Sequence, residues 1–147
     1  MSANDQIDGT LRVHTPAVSD TDTIRVTLER WYRAQARPLF LERVRALRQP
    51  RDGRIVRLSV RDQDGCWGSC TAGTQLEGAQ TGGGRLSFNW RLIMAPPPVL
   101  DAVVAHELVH LTQPDHSKQF WATLDARFPR HRACRHWLDA NAYRLRL

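Results

Sequence analysis

The sequence predicts an α+β domain: a small β-sheet packed by an N-terminal helix, a central helix and C-terminal helices. Three observations carry this. Apolar residues recur at helical spacing from Thr23 to Leu47 and again from Val99 to Leu111. Two short stretches, Arg54 to Arg61 and Leu86 to Leu92, alternate instead with a period of two. The order is helix, strands, helices, which segregates the sheet from the helices that cover it.

Each element has its own signals. Met1 to Ser19 is polar and aperiodic and reads as a flexible tail, with Leu11 to Val13 as its one stretch able to order; a single domain runs from Asp20 to Leu147. Asp20 and Asp22 are candidate caps for the first helix. Its stripe is Ile24, Leu28, Trp31, Tyr32, Leu39, Phe40, Val44 and Leu47, and Pro38 is expected to kink or divide it. Arg30, Arg33, Arg37, Arg43 and Arg45 form its basic outer side. Gln49 to Gly53 is a turn, and the strand that follows turns Val56, Leu58 and Val60 to one side. After a tight turn over Asp62 to Gly65, Cys66 to Ala72 is a second strand. Gly73 to Arg85, rich in Gly, Thr and Gln, reads as a flexible loop. Leu86, Phe88, Trp90 and Leu92 point inward from the next strand. A helix then opens at Pro96 to Pro98, since the first turn lacks N–H partners anyway, and stops before Pro114. Another starts near Ser117 and buries Phe120, Trp121, Leu124 and Phe128; the last, from His131 to Arg144, packs Ala133, Trp137, Leu138 and Tyr143.

Composition sets bounds on function. The chain has 147 residues, enough for one domain with a hydrophobic core. The formal charge of +6 comes almost wholly from arginine, since Lys118 is the one lysine, and arginine suits phosphate or carboxylate binding. Three cysteines, Cys66, Cys70 and Cys134, cannot all pair within the chain; with no apolar stretch after Met1 this predicts a reduced, cytoplasmic protein. No apolar run approaches membrane-spanning length, so no membrane partner is expected. Oligomeric state has no signature here.

The chemistry concentrates in the second helix, at His106-Glu107-Leu108-Val109-His110. Histidines four residues apart stand one turn apart on one helix face, where their imidazoles can share one metal ion. Glu107 is rotated about 100° from His106, beside the pair, where it can take a proton from zinc-bound water. A catalytic zinc site has three protein ligands and an open position. No glutamate follows Glu107, so a downstream helix cannot supply a carboxylate of that kind. His116, just past the Pro114 break, is the expected third ligand, with Asp115 the alternative.

Several stretches together extend this beyond a single motif: Trp67-Gly68-Ser69-Cys70, Ser87-Phe88-Asn89-Trp90-Arg91-Leu92-Ile93-Met94-Ala95-Pro96, Val99-Leu100-Asp101, the His106 to His110 motif, Asp115-His116-Ser117 and Phe120-Trp121. The series resembles the YgjP-like family of metal-dependent hydrolases, related to SprT-like and WLM-type domains. The resemblance is specific from Arg57 to Leu138. It implies a zincin-like fold, one zinc ion held by His106, His110 and His116, and Glu107 as catalytic base. It also marks departures: a short tail in place of an N-terminal β-rich region, Cys66 where arginine is usual, and a longer Gly73 to Arg85 connection.

The expected function is zinc-dependent hydrolysis of a peptide bond, with a peptide or protein as substrate. Gly68 would allow an extended peptide to approach the Trp67 to Cys70 strand closely. Tyr143, Tyr32, His131 and Arg91 are candidates to stabilise the oxyanion, and Asp115, Asp101 or Asp125 to orient a ligand imidazole. Phe120 and Trp121 are expected to pin the His116 loop. Cys66, Cys70, Cys134 and His131 are a weaker candidate for a structural metal site, their spacing being loose. Two rival functions remain. One is nucleoside triphosphate pyrophosphohydrolysis, which the resemblance also suggests, although that chemistry usually runs on magnesium among carboxylates. The other is a nucleic-acid-associated binding module using Arg127, Arg130, Arg132, Arg135, Arg144 and Arg146.

Overall fold

The computed structural model describes residues 5–7, 10–12, 20–63, 65–76 and 79–147. It is an α+β arrangement. Strands β1 (Asp5–Ile7) and β2 (Thr10–Arg12) pair antiparallel within the N-terminal stretch. Helix α1 (Thr21–Leu47) follows, capped by Asp20, whose carboxylate accepts from the Thr23 N–H at 2.8 Å. Pro38 does not divide it: 27 residues run as one helix. Buried Ala36 and Phe40 hold the two sides of the proline against the core. Ala34 and Pro38 are exposed, so the carbonyl that loses its N–H partner faces water. The first turns contribute least, since Ile24 and Val26 stay exposed.

The arginine side of α1 is more than a solvated face. Arg43 makes a two-pronged contact to Asp101 at 2.7 and 2.9 Å, and Arg37 donates to the Leu58 carbonyl. Arg33 reaches Glu29 at 2.7 Å.

The central sheet has three strands in the order β3 (Ile55–Arg61), β7 (Gly84–Asn89), β4 (Gly68–Thr71). β3 runs parallel to β7 and β4 antiparallel to it. The alternation in β3 holds for Leu58 but not for Val56, which is exposed, because the register shifts between Ile55 and Arg57 and carries Val56 off the inner face. The glycine-rich segment expected as a loop carries two more strands, β5 (Thr74–Leu76) and β6 (Ala79–Thr81), paired antiparallel. Leu86, Phe88, Trp90 and Leu92 are all buried as expected. The strand ends at Asn89, however, and a 3-10 turn over Trp90–Met94 delivers the last two. Asn89 makes that switch, its side chain accepting from the Arg91 N–H at 3.0 Å.

Helix α2 (Pro97–His110) is buried almost all round, as a helix packed on several sides must be. It lies against α1, β4, α3 (Lys118–Arg127) and α4 (His131–Asn141). It ends in closing turns, Thr112 and Gln113 both donating to the Val109 carbonyl, before Pro114. Ser117 caps α3 by accepting from the Phe120 N–H. In α4 the buried face is His131, Cys134 and Leu138; Ala133 and Tyr143 are exposed. The apolar residues form a main core from α1, the sheet, α2 and α4, and a smaller cluster of Ala105, Val109, Phe120 and Leu124 between α2 and α3.

One buried ion pair anchors the far end of α3. Arg127 grips Asp52 at 2.6 and 2.8 Å and also donates to the Leu47 carbonyl. Asp52 is 1% exposed, and its second prong also accepts from the Gln49 N–H. A lysine keeps the charge but loses the fork. Arg127→Lys is expected to cost about 1.5–3 kcal/mol, the worth of a charged hydrogen bond, measured as a lower urea midpoint with unchanged slope.

Candidate metal centre

The i, i+4 spacing of His106 and His110 on α2 brings their Nε2 atoms to 3.1 Å. His116, on the loop before α3, completes a triangle, 3.2 Å from His106 and 3.0 Å from His110. Among the described residues this trio is the one group of three or more His, Cys, Asp or Glu side chains disposed to hold an ion.

Three imidazole nitrogens gathered this way do not satisfy one another. Each Nε2 offers one proton or one lone pair, never both. His110 is tied further, since its Nδ1 lies 3.0 Å from the Gln113 carbonyl and must donate there, leaving a lone pair on Nε2. Donors 3.0–3.2 Å apart can all reach one point at a zinc–nitrogen distance of about 2.0–2.1 Å. Two of the rings are also held toward the neutral form. Burial, then the neighbouring His110 and His116, pushes His106 down to about 3, and burial lowers His110 as well. The donor set therefore fits a zinc ion.

Phe120 is the platform of the trio. It is fully buried, stacks on His110 at 4.4 Å and meets His106 and His116 edge-on at 4.9 and 5.0 Å. Trp121 stacks on His116 at 5.5 Å. Both pin the loop, as expected from the sequence. Gln113 is held in turn by a 3.0 Å bond to the Thr123 hydroxyl.

Glu107 stands beside the trio, 5% exposed, and makes no hydrogen bond or ion pair among the described residues. Burial pushes its carboxyl up to about 7, partly opposed by the positive charge of Arg135. A buried carboxylate without a partner is costly for a fold and marks a functional position. Strand β4 runs over it. A Cβ on Gly68 would lie 3.0 Å from the Glu107 Cγ and from the Val103 Cγ1. Among the described residues β4 pairs on one side, with β7, so its other edge has no strand partner.

These groups open into one cavity of ≈ 520 Å³. Of the oxyanion candidates, His131 lines it, with its Nε2 bonded to Asp125. The other three are placed elsewhere. Tyr32 stacks on Trp90, Arg91 holds Asp62 at 3.2 and 3.3 Å, and Tyr143 is 67% exposed against Arg144. The carboxylates expected to orient a ligand ring do not: Asp101 is held by Arg43, Asp125 by His131, and a backbone carbonyl takes the task at His110. Asp115 is exposed and influences His110 by charge alone. All three cysteines are free and line the cavity without gathering into an ion site. Burial pushes Cys70 up to about 12, so it stands there as a thiol.

Arg135 is the cavity residue that sequence reasoning counted only among the basic tail. Its i, i+4 relation to His131 was the signal that both share a face of α4. Of the other basic residues there, Arg127 is spent on Asp52, and Arg132 lies 5.6 Å over Trp121 and 3.6 Å from Asp125.

A family model for the YgjP-like metallopeptidase domain matches residues 2–141. No match was found among curated proteins or among solved structures. Among the described residues no helix is long and apolar enough to cross a membrane.

Proposed function

The chain belongs to the YgjP-like metallopeptidase family, and from that premise we propose that it is a zinc-dependent peptidase with Glu107 as general base. His106, His110 and His116 hold one zinc ion in this proposal. The observation that carries it is the convergence of three imidazole nitrogens within 3.2 Å, beside a buried carboxylate that makes no hydrogen bond or ion pair among the described residues. Zinc, when bound, polarises the scissile carbonyl and acidifies a water.

The chain's own groups do the rest. Glu107 accepts the water's proton and returns it to the departing amine nitrogen. Its raised affinity for protons, due to burial, suits a group that must both take and give one near neutral pH. The edge of β4 that has no strand partner among the described residues can pair with an extended peptide by main-chain hydrogen bonds, which favours a polypeptide substrate. His131, at the cavity wall, is the one sequence-derived oxyanion candidate that lines the cavity; with its Nε2 donating to Asp125, the ring has a second N–H to offer an oxyanion only in the doubly protonated form.

An all-imidazole donor set suits zinc and amide chemistry better than magnesium-dependent phosphoanhydride cleavage, which draws on carboxylates. A cytoplasmic location, with the cysteines reduced, accords with three free thiols in the cavity.

The test is elemental analysis followed by digestion of a synthetic peptide library. About one zinc per chain and zinc-dependent cleavage support the proposal. A chain that takes up no added zinc, or one that binds zinc and releases pyrophosphate from nucleoside triphosphates but cleaves no peptide, overturns it. Gly68→Ala adds a finer check. The new methyl crowds Glu107, and displacing a reacting group even slightly is costly. Turnover is expected to fall by less than about a hundredfold with zinc content unchanged. Full turnover in this variant would count against Glu107 as the base.

A further inference from the structure

Helix α4 presents His131, Cys134, Arg135 and Leu138 to the cavity, positions i, i+3, i+4 and i+7 of one helical face. Three of the four are buried, while the Arg135 side chain is 62% exposed, so the guanidinium sits where the cavity wall meets solvent. It is the one arginine or lysine lining the cavity among the described residues, and Glu107 is the one carboxylate. Its only ion-pair partner there is Asp139, one turn on, with Nε 3.5 Å from the carboxylate and both side chains exposed. Such a pair is weak and is readily given up to a ligand. The two terminal amino groups of Arg135 donate no hydrogen bond among the described residues. An arginine with its fork free at the mouth of a site is built for a planar, two-oxygen anion.

We infer that Arg135 determines specificity by binding a carboxylate of the substrate close to the bond that is cleaved. Two sources share that chemistry: an Asp or Glu side chain, or the C-terminal carboxylate of the peptide. A polyphosphate fits less well, because several negative charges would face a single guanidinium with a buried carboxylate behind it.

The inference rests on the peptidase function proposed above. The experiment uses the zinc-loaded chain and a library of synthetic peptides. These carry Asp or Glu, Asn or Gln, or Lys or Arg at each position, with free or amidated C-termini. Cleavage is read by mass spectrometry. Wild type is expected to prefer acidic peptides over their amide counterparts by roughly 10–100-fold in kcat/KM, the range a charged hydrogen bond commands. Arg135→Gln should flatten the preference and Arg135→Glu should invert it toward Lys or Arg. Loss on amidation assigns the C-terminal carboxylate, and indifference to amidation the side chain. If peptides are cleaved, and Glu107→Gln stops the cleavage, but Arg135→Glu keeps the wild-type preference, the inference fails and the peptidase stands. If no peptide is cleaved, the peptidase proposal fails, and titration with succinate followed by NMR decides for Arg135. Binding lost in Arg135→Glu supports a carboxylate site, and no binding, or equal binding, overturns it.

Discussion

Replacing Glu107 with glutamine is expected to leave a folded chain that binds zinc and to lower turnover by about 10²–10⁴-fold, the range removed with a general base. The side chain is buried and free of hydrogen bonds and ion pairs among the described residues, so the amide deprives no neighbour of a partner. It has the same shape, so Gly68, whose Cα sits close over the Glu107 side chain, is undisturbed. What changes is proton affinity alone: an amide cannot accept the proton that a carboxylate takes. In barrier terms the loss is about 2.7–5.4 kcal/mol. The measurement is kcat on any peptide that wild type cleaves, with zinc content determined on the same sample. Normal turnover in a zinc-loaded Glu107→Gln chain would remove Glu107 from the mechanism.

His116→Ala is expected to strip the metal. His116 is exposed and held by stacking on Trp121, so its removal perturbs the fold little. It does leave two imidazoles where three met. Zinc affinity should fall by more than the roughly 10–100-fold that loss of an outer partner costs. The same change is visible in stability. Free zinc at a thousand times its dissociation constant stabilises a folded protein by about 4 kcal/mol. For a chain of this size that is about 8–16 °C in Tm. Wild type should show this rise on adding zinc, whereas His116→Ala should show little of it, the two metal-free proteins melting close together. Equal zinc content and an equal rise in both would exclude His116 as a ligand.

The parts of the fold that were legible in the sequence are those governed by local chemistry. Asp20 and Ser117 cap helices because a short acceptor there meets free N–H groups. Leu86 to Leu92 reads as buried because its alternation is unbroken. The approach of His106 to His110 follows from helix geometry, and Pro114 leaves the chain room to bring His116 beside them. What stayed hidden depends on partners distant in sequence. The bulge that exposes Val56 belongs to the pairing of β3 with β7, not to β3 alone. Asp101 looked available to a ligand ring until α1 laid Arg43 across it. Arg135 looked like one more tail arginine until α4 was packed against α2 and its inner face became a cavity wall. Pairing and packing allocate such residues, and periodicity does not report them.

Helix α3 has a fastening near each end. Arg127 locks its last turn to Asp52, and its first turn follows directly from His116 through the Ser117 cap. With an ion on the three histidines it becomes a beam clamped at both supports, with the Phe120 cluster filling the span beneath it. A clamped beam cannot swing open at one end without first breaking a hold. Swinging His116 away from its two partners by moving the start of α3 would then work against the Arg127 hold at the other end, so the far fastening helps to keep the third imidazole in place.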